Sequence, residues 1–196
     1  VDGHLSVYTL LLSGAIFNAS SGALIFFLQS VASLEQLHTM VFYLMGQVPS
    51  LPPARVGALA AVVLAAVLLV WRLARAFNVL SLGEETAAEL GVDTERLKRR
   101  ALLLGSLLTA LAVSVAGLIG FVGLIVPHAV RLLLGADHRR LVPASCLAGA
   151  SLLVLADLAA RTVALPSELP VGVVTALLGG PFFLYLLRVR GTAWRG

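Results

Sequence analysis

The sequence predicts an all-α fold: a polytopic transmembrane helical bundle of about six crossings with a cytoplasmic short-helix loop. Three observations carry this. The 196 residues are 59% hydrophobic and only 12% charged, whereas a soluble domain has roughly 45–50% apolar and about 25% charged residues. Long apolar stretches free of Asp, Glu, Lys and Arg recur along the chain. The basic residues lie in clusters between those stretches.

A spanning helix needs about 20 apolar residues at 1.5 Å each. Residues 5–33 supply the first stretch and 56–71 a shorter second one, solid in Ala, Val and Leu. Residues 101–130 form the third, which as a single helix would be about 45 Å long, too long for a core of about 30 Å. Its middle carries Gly117, Gly120 and Gly123, then Pro127 and His128. These residues predict a structural break, so that 101–134 crosses twice; His128 is expected to be a structural hydrogen-bonder. Residues 141–156, with a broken extension to Leu165, and residues 169–187 supply the last two stretches.

Charge placement supports the double crossing. Lys and Arg favour the cytoplasmic face. With two crossings, Arg72, Arg75, Arg96, Lys98, Arg99, Arg100, Arg139, Arg140, Arg188, Arg190 and Arg195 all fall on one side. Arg131 is marginal, and Arg55 and Arg161 are the exceptions. Both ends of the chain are then cytoplasmic. The net charge of +4 is thus a signal of topology, and no nucleic-acid partner is expected. No basic segment precedes Leu5, so no signal peptide is expected.

The loop 75–100 is the most polar part of the chain. Residues 81–91 predict a short helix with Glu84 and Glu85 in its first turn, which suits the helix dipole, and Gly91 ending it in a left-handed conformation. Asp93 is placed to cap the helix that carries Arg96–Arg100 into the membrane. The loop reads either as a docking platform or as a solvated connector held by ion pairs. The outer loop 29–55 holds a second short helix, 34–44, or is a plain connector.

Polar residues within the apolar stretches are few. Asp157 and Arg161 share a helical face at i, i+4, either as an intramembrane functional site or as a structural pair. Asn18, Ser20, Ser21 and Gly22 put a small polar patch in the first crossing, for helix packing or for lining a path. No P-loop, H-E-x-x-H or G-x-S-x-G is present. The single cysteine, Cys146, allows neither a disulfide framework nor a cysteine metal site. No catalytic, cofactor-binding or metal residue is expected.

The words LSLGEETAAELGV (80–92), AGLIGFVGLIVPHAVRLLLGADHRRLVP (116–143), ADLAARTV (156–163) and ELPVGVVTALLGGPFFLYLLR (168–188) resemble the permease subunits of ABC importers for iron-siderophores, haem and cobalamin. The resemblance runs over nearly the whole chain. It implies a subunit of about ten helices, paired with a second permease subunit as homodimer or pseudo-dimer. It also implies ABC ATPase subunits that bind ATP, a periplasmic or lipid-anchored substrate-binding protein, and residence among the lipids of the bacterial inner membrane. This chain matches the last six helices, a single permease domain over 1–196 that lacks the first four.

By the same resemblance, 75–100 is the loop that contacts the ATPase, with Gly83, Glu84, Glu85, Ala87, Ala88, Leu90 and Gly91 as coupling residues. Arg161, with Glu168 beside it, stands where the binding protein docks. Asn18, Ser21, Gly22 and Asp157 belong to the pathway or to helix packing. The other readings are an ion-coupled secondary transporter using Asp157 and a non-transporting truncated scaffold.

Overall fold

The computed structural model describes residues 7–163 and 169–191. Nine helices are present among the described residues: α1 (Val7–Val31), α2 (Leu34–Met45), α3 (Pro53–Arg72), α4 (Ala74–Leu80), α5 (Glu84–Glu89), α6 (Thr94–Ala116), α7 (Val122–Leu134), α8 (His138–Thr162) and α9 (Val171–Gly191). Four of them hold segments long and apolar enough to cross a membrane: Leu11–Val31, Pro53–Arg72, Thr94–Ala116 and His138–Thr162. Val122–Leu134 and Val171–Phe182 are shorter apolar helical segments. These are the six segments that the sequence predicts.

The chain forms two compact units, 1–42 and 43–196. In the first, α1 ends at Val31 and α2 opens with a capping box. Ser33 Oγ accepts from Gln36 N–H while Gln36 Oε1 accepts from Ser33 N–H, at 3.4 and 3.0 Å. Two orphan donors of the helix start are thereby satisfied. The His38 and Phe42 rings sit 4.5 Å apart one turn along.

The second unit is organised around α8. Val126 and Val130 of α7 and Leu141 of α8 form one buried cluster, with Ala144, Ala148 and Leu152 packed against it. Ala156 and Ala160 of α8 form another with Val171 of α9. Ala160 is wholly buried, so α9 approaches at alanine distance. Most large apolar side chains of this unit, such as Leu103, Leu147, Leu155 and Leu177, face outward. That is the distribution expected where lipid covers the surface.

The expected break in 101–134 is real and falls at residues 117–121. Gly117 has φ +69 and Phe121 φ +68. α6 starts beside α5, with Lys98 Nζ bonded to Glu84, and ends where Gln47 N–H donates to the Ala116 carbonyl. α7 then returns, because Asp137, just beyond it, bonds to Asn78 of α4. The two helices therefore run out and back. Gly123, Pro127 and His128, predicted as part of the break, instead lie inside α7. Proline is tolerated there at the sixth residue, with only the Gly123 carbonyl losing its helical donor.

Three glycines fix the end of the unit at which α6 stops. A Cβ on Gly117 would stand 1.9 Å from the Tyr43 carbonyl oxygen, one on Gly46 2.5 Å from that of Leu118, and one on Gly172 2.1 Å from that of Met45. Backbone touches backbone there, and only glycine permits it. Phe121, unusual as a bulky residue in the left-handed region, lies where a Cβ on Gly179 would stand, 2.3 Å from its own Cβ.

Gly117→Ala adds an impossible contact at a positive φ, and we expect a loss of about 2–4 kcal/mol. Gly57, in α3 with nothing within 4 Å of its Cβ position, serves as the control. Gly57→Ala is expected to be neutral or stabilising by up to about 1 kcal/mol. Thermal unfolding in detergent checks both; equal melting temperatures would contradict the close approach.

Candidate functional site

The polar loop folds as a platform of short helices. α3 gives way to α4 at Leu73, whose N–H bonds to the carbonyls of both Leu69 and Val70. A turn through Ser81 and Leu82 leads to Gly83, whose φ of +117 opens α5. α5 closes with a Schellman motif: Val92 N–H donates to the Ala87 carbonyl and Gly91 N–H to that of Ala88, both at 2.9 Å. Gly91 takes φ +82, the left-handed stop that the sequence predicts. Asp93 then caps α6 by accepting from Arg96 N–H at 2.9 Å.

The predicted coupling residues all come together on this one short helix, its C-cap Leu90 and the two flanking glycines. Their roles divide by burial. Ala87 is fully buried and holds α5 against the fold, so it offers no surface. Gly83, Glu84, Glu85, Ala88, Leu90 and Gly91 are exposed. Leu82 and Leu90 are 67% and 62% exposed within a loop that is otherwise charged. Exposed leucines flanking a pair of glutamates make an amphipathic contact surface.

Ion pairs brace the platform. Glu84 Oε2 lies 2.5 Å from Lys98 Nζ, which also reaches Glu95 at 3.6 Å. Arg96 Nε pairs with Asp93 Oδ2 at 2.8 Å. Exposed pairs of this kind contribute less than about 1 kcal/mol each. The stronger attachment runs to α8. Asn78 of α4 donates from Nδ2 to Asp137 Oδ1 at 2.7 Å and accepts at Oδ1 from His138 N–H at 2.8 Å. Trp71 Nε1 donates to the Arg139 carbonyl at 2.9 Å. Asp137 itself caps α8, accepting from Arg139 N–H at 3.0 Å. Sequence reasoning missed Trp71, Asn78 and the Asp137 cap; the Asp-His-Arg-Arg run that opens α8 was the available signal for the cap.

At the opposite end of α8, Arg161 Nε donates to Asp157 Oδ2 at 2.9 Å and Arg161 Nη2 to the Val48 carbonyl at 3.3 Å. Asp157 is thus a paired carboxylate one turn below the helix end. Arg161 keeps about half of its side chain exposed. Glu168, expected beside it, lies outside the described residues. Asn18, Ser21 and Gly22 share one face in the middle of α1, Asn18 exposed and the other two half-buried. His128 Nε2 and Ser145 Oγ are buried without a hydrogen-bond partner among the described residues, so the hydrogen-bonding role expected of His128 is not seen at that atom. No group of three or more His, Cys, Asp or Glu that could hold a metal occurs among the described residues.

The family model described as the FecCD transport family matches residues 1–189. The chain belongs to the FecCD transport family. Among FecCD relatives, the cobalamin import system permease protein BtuC of Halobacterium salinarum is 49% identical over 189 residues, which are 96% of this chain and 50% of that one. The hemin transport system permease protein HmuU of Yersinia pestis is 42% identical over 185 residues, 94% of this chain and 55% of that one. A solved metal-chelate type ABC transporter in an inward-facing conformation superposes with a TM-score of 0.86 at 35% identity, covering 93% of this chain and 59% of its own. The chain spans about half the length of the curated relatives it matches. The FecCD match extends across both the platform and the Asp157–Arg161 end.

The Asn78 amide, then the Arg139 N–H and the nearby guanidinium groups, hold the Asp137 carboxyl below its ordinary value of 3.8. A depressed carboxylate stabilises the folded state above its unfolded value, and that contribution is lost as pH falls through the folded one. The first-turn amides of α8 are therefore expected to keep their hydrogen-exchange protection down to about pH 4 and to lose it below. Asp137→Asn, which retains a capping oxygen, should remove most of that acid dependence; an unchanged pH profile in the variant would count against it.

Proposed function

We propose that the chain is the carboxyl-terminal part of the transmembrane permease of an ATP-driven importer for an iron-siderophore, haem or cobalamin. The observation that carries this reading is the α5 platform, an exposed amphipathic surface at the end of the bundle that collects the basic clusters. On the positive-inside rule that end is cytoplasmic, as are both ends of the chain, in a multi-pass protein of the bacterial inner membrane. A cytoplasmic ATPase subunit docks on Glu84, Glu85, Ala88 and Leu90, while Gly83 and Gly91 fix the shape of the surface. ATP is bound and hydrolysed on that ATPase subunit, and this chain contributes no catalytic group and binds no cofactor. Relatives named for cobalamin and hemin transport support the substrate class.

The Arg161 end then faces outward. Its half-exposed side chain suits acidic side chains of a periplasmic or lipid-anchored binding protein, with Glu168 seven residues further along the sequence. Transport proceeds by alternating access, the platform following the ATPases and the crossings of two permease subunits rearranging about a central path. Asn18, Ser21 and Gly22 on α1 supply a small polar face for that path or for close helix packing. Asp157 works as the partner that holds Arg161. This favours the importer over an ion-coupled carrier, which would need the carboxylate available for protonation.

Native mass spectrometry of the complex extracted from its own membranes tests the reading directly. ATPase subunits are expected to travel with the permease, and their absence would return the Asp157 carrier to first place. Glu84→Lys sets two ammonium groups face to face at Lys98 and reverses the docking charge. Uptake is expected to fall by about tenfold or more, a loss of at least about 1.4 kcal/mol; normal uptake would remove Glu84 from coupling. Arg161→Gln, which avoids placing a new acid beside Asp157, should weaken binding-protein association at low salt, with the difference shrinking as salt screens it. Equal association at every salt concentration would withdraw the docking role.

A further inference from the structure

We infer that Asn78, Asp137 and His138 form the joint that passes movement of the α5 platform into α8, which makes Asn78 a positioning residue for transport. The inference rests on the importer reading, because it assigns a task to platform movement. Asn78 belongs to α4, against which α5 packs. Its side chain is used at both ends. Nδ2 donates to Asp137 Oδ1, and Oδ1 takes both the His138 N–H and a contact of 2.7 Å with His138 Nδ1. For Oδ1 to accept twice, the imidazole carries its proton on Nδ1. The Phe77 ring lies against that imidazole, with centroids 5.8 Å apart. Trp71 holds the next residue through the Arg139 carbonyl.

Three consecutive residues, the cap and first turn of α8, are therefore tied to α3 and α4. A cap alone needs much less. Asp137 already satisfies the Arg139 N–H from its own side chain, yet Asn78 adds three more bonds from a different helix. Helix starts carry unsatisfied donors, and here one of them, the His138 N–H, is answered by the helix next to the platform. The alternative route out of α5 is the exposed Glu84–Lys98 pair to α6, which solvent and salt weaken. The α8 joint includes part-buried bonds at His138 and has fixed geometry.

What the joint moves is a long lever. α8 has 25 residues, about 37 Å of helix. It packs on α7 near its start and on α9 near its end. Its last turns carry Asp157 and Arg161, the latter bonded to the Val48 carbonyl. A displacement at Asn78 thus reaches both inner clusters and the Arg161 end through one continuous helix.

The test uses the full importer, permease with its ATPases, reconstituted in lipid nanodiscs with its own binding protein. The binding protein is loaded with cobalamin or, in parallel, with haemin. Asn78→Ala and His138→Ala are each expected to retain the ATPases by native mass spectrometry, with basal hydrolysis within about twofold. Stimulation of hydrolysis by the loaded binding protein should fall by at least about tenfold, and the double variant should be no worse than either single one. Asn78→Asp, nearly isosteric, keeps the oxygen that faces His138 but opposes a carboxylate to Asp137, and should show the same split without a packing defect. Undiminished stimulation in these variants would overturn the inference, as would a double variant whose loss is the product of the two single losses. Detachment of the ATPases from Asn78→Ala and Asn78→Asp alone would also overturn it, by showing that the cluster only shapes the platform. If the unaltered permease retains no ATPase, the importer reading itself has failed and the joint falls with it.

Discussion

In hydrocarbon no water answers a broken backbone, so every interruption of a helix at membrane depth must find its partners within the protein. At the break at 117–121, contacts within the second unit answer part of that demand. The Gly117 N–H stays with the Val113 carbonyl and the Val122 N–H with that of Gly120, while Gln47 N–H covers the Ala116 carbonyl. The Tyr43 hydroxyl adds a bond to the Val113 carbonyl at 2.7 Å. Gly172 N–H reaches the Gly46 carbonyl at 3.3 Å, which brings the start of α9 into the same knot. Because these are contacts between main chains, they require the absence of side chains. Gly46, Gly117 and Gly172 come from three separated parts of the sequence for that one reason. The out-and-back path of α6 and α7 exists only because the knot closes it.

The same closure makes α8 the shared wall of the unit. α7 returns along its first half and α9 departs along its second, so α8 buries small residues where its neighbours press closest. Ala156 and Ala160 are nearly or wholly buried, and Thr175 of α9, buried too, turns its hydroxyl back to the Gly172 carbonyl at 3.0 Å. A polar residue in that position is affordable only because its bond is local. Where α8 emerges, at Asp137 and at Arg161, it is held by polar contacts instead of by packing.

Much of this was legible in the sequence, and the rest was not for identifiable reasons. Length and apolarity marked the six segments, because the bilayer imposes a length on any helix that crosses it. Gly91 and Asp93 announced the platform because caps depend on neighbours within a few residues. The break in 101–134 was legible as an excess of length and a run of glycines, but its position was not. Gly123 and Pro127 look like breakers locally, and only the contacts with Tyr43 and Gly46 show that the turn is fixed upstream at Gly117. Gly46 and Gly172 drew no role for the same reason: the partner of each lies far away in the chain. Asn78 looks like an ordinary loop residue until α8 is folded beside it. The pairing of Asp157 with Arg161 followed from i, i+4 spacing alone, whereas the Val48 carbonyl that completes it did not.

Among the described residues no large side chain is fully buried, and this bears on what specifies the fold. Between two helices in lipid, burial of Leu or Phe gains little, since the acyl chains are as apolar as the partner helix. Leu103, Leu147 and Leu177 therefore keep the chain in the membrane without deciding how its helices pair. Pairing falls to what lipid cannot imitate: close approach at Ala160 and at the glycine knot, and directed bonds at Tyr43, Trp71, Asn78 and Arg161. These determinants occupy the two ends of the bundle more than its middle. The platform lies at one of these ends and the Asp157–Arg161 pair at the other, so the contacts that specify the fold and the surfaces proposed to meet partners share the same short stretches of chain. A substitution there tests both at once, and a charge change whose partner contact is known, as at Glu84 or Asn78, separates them better than a truncation.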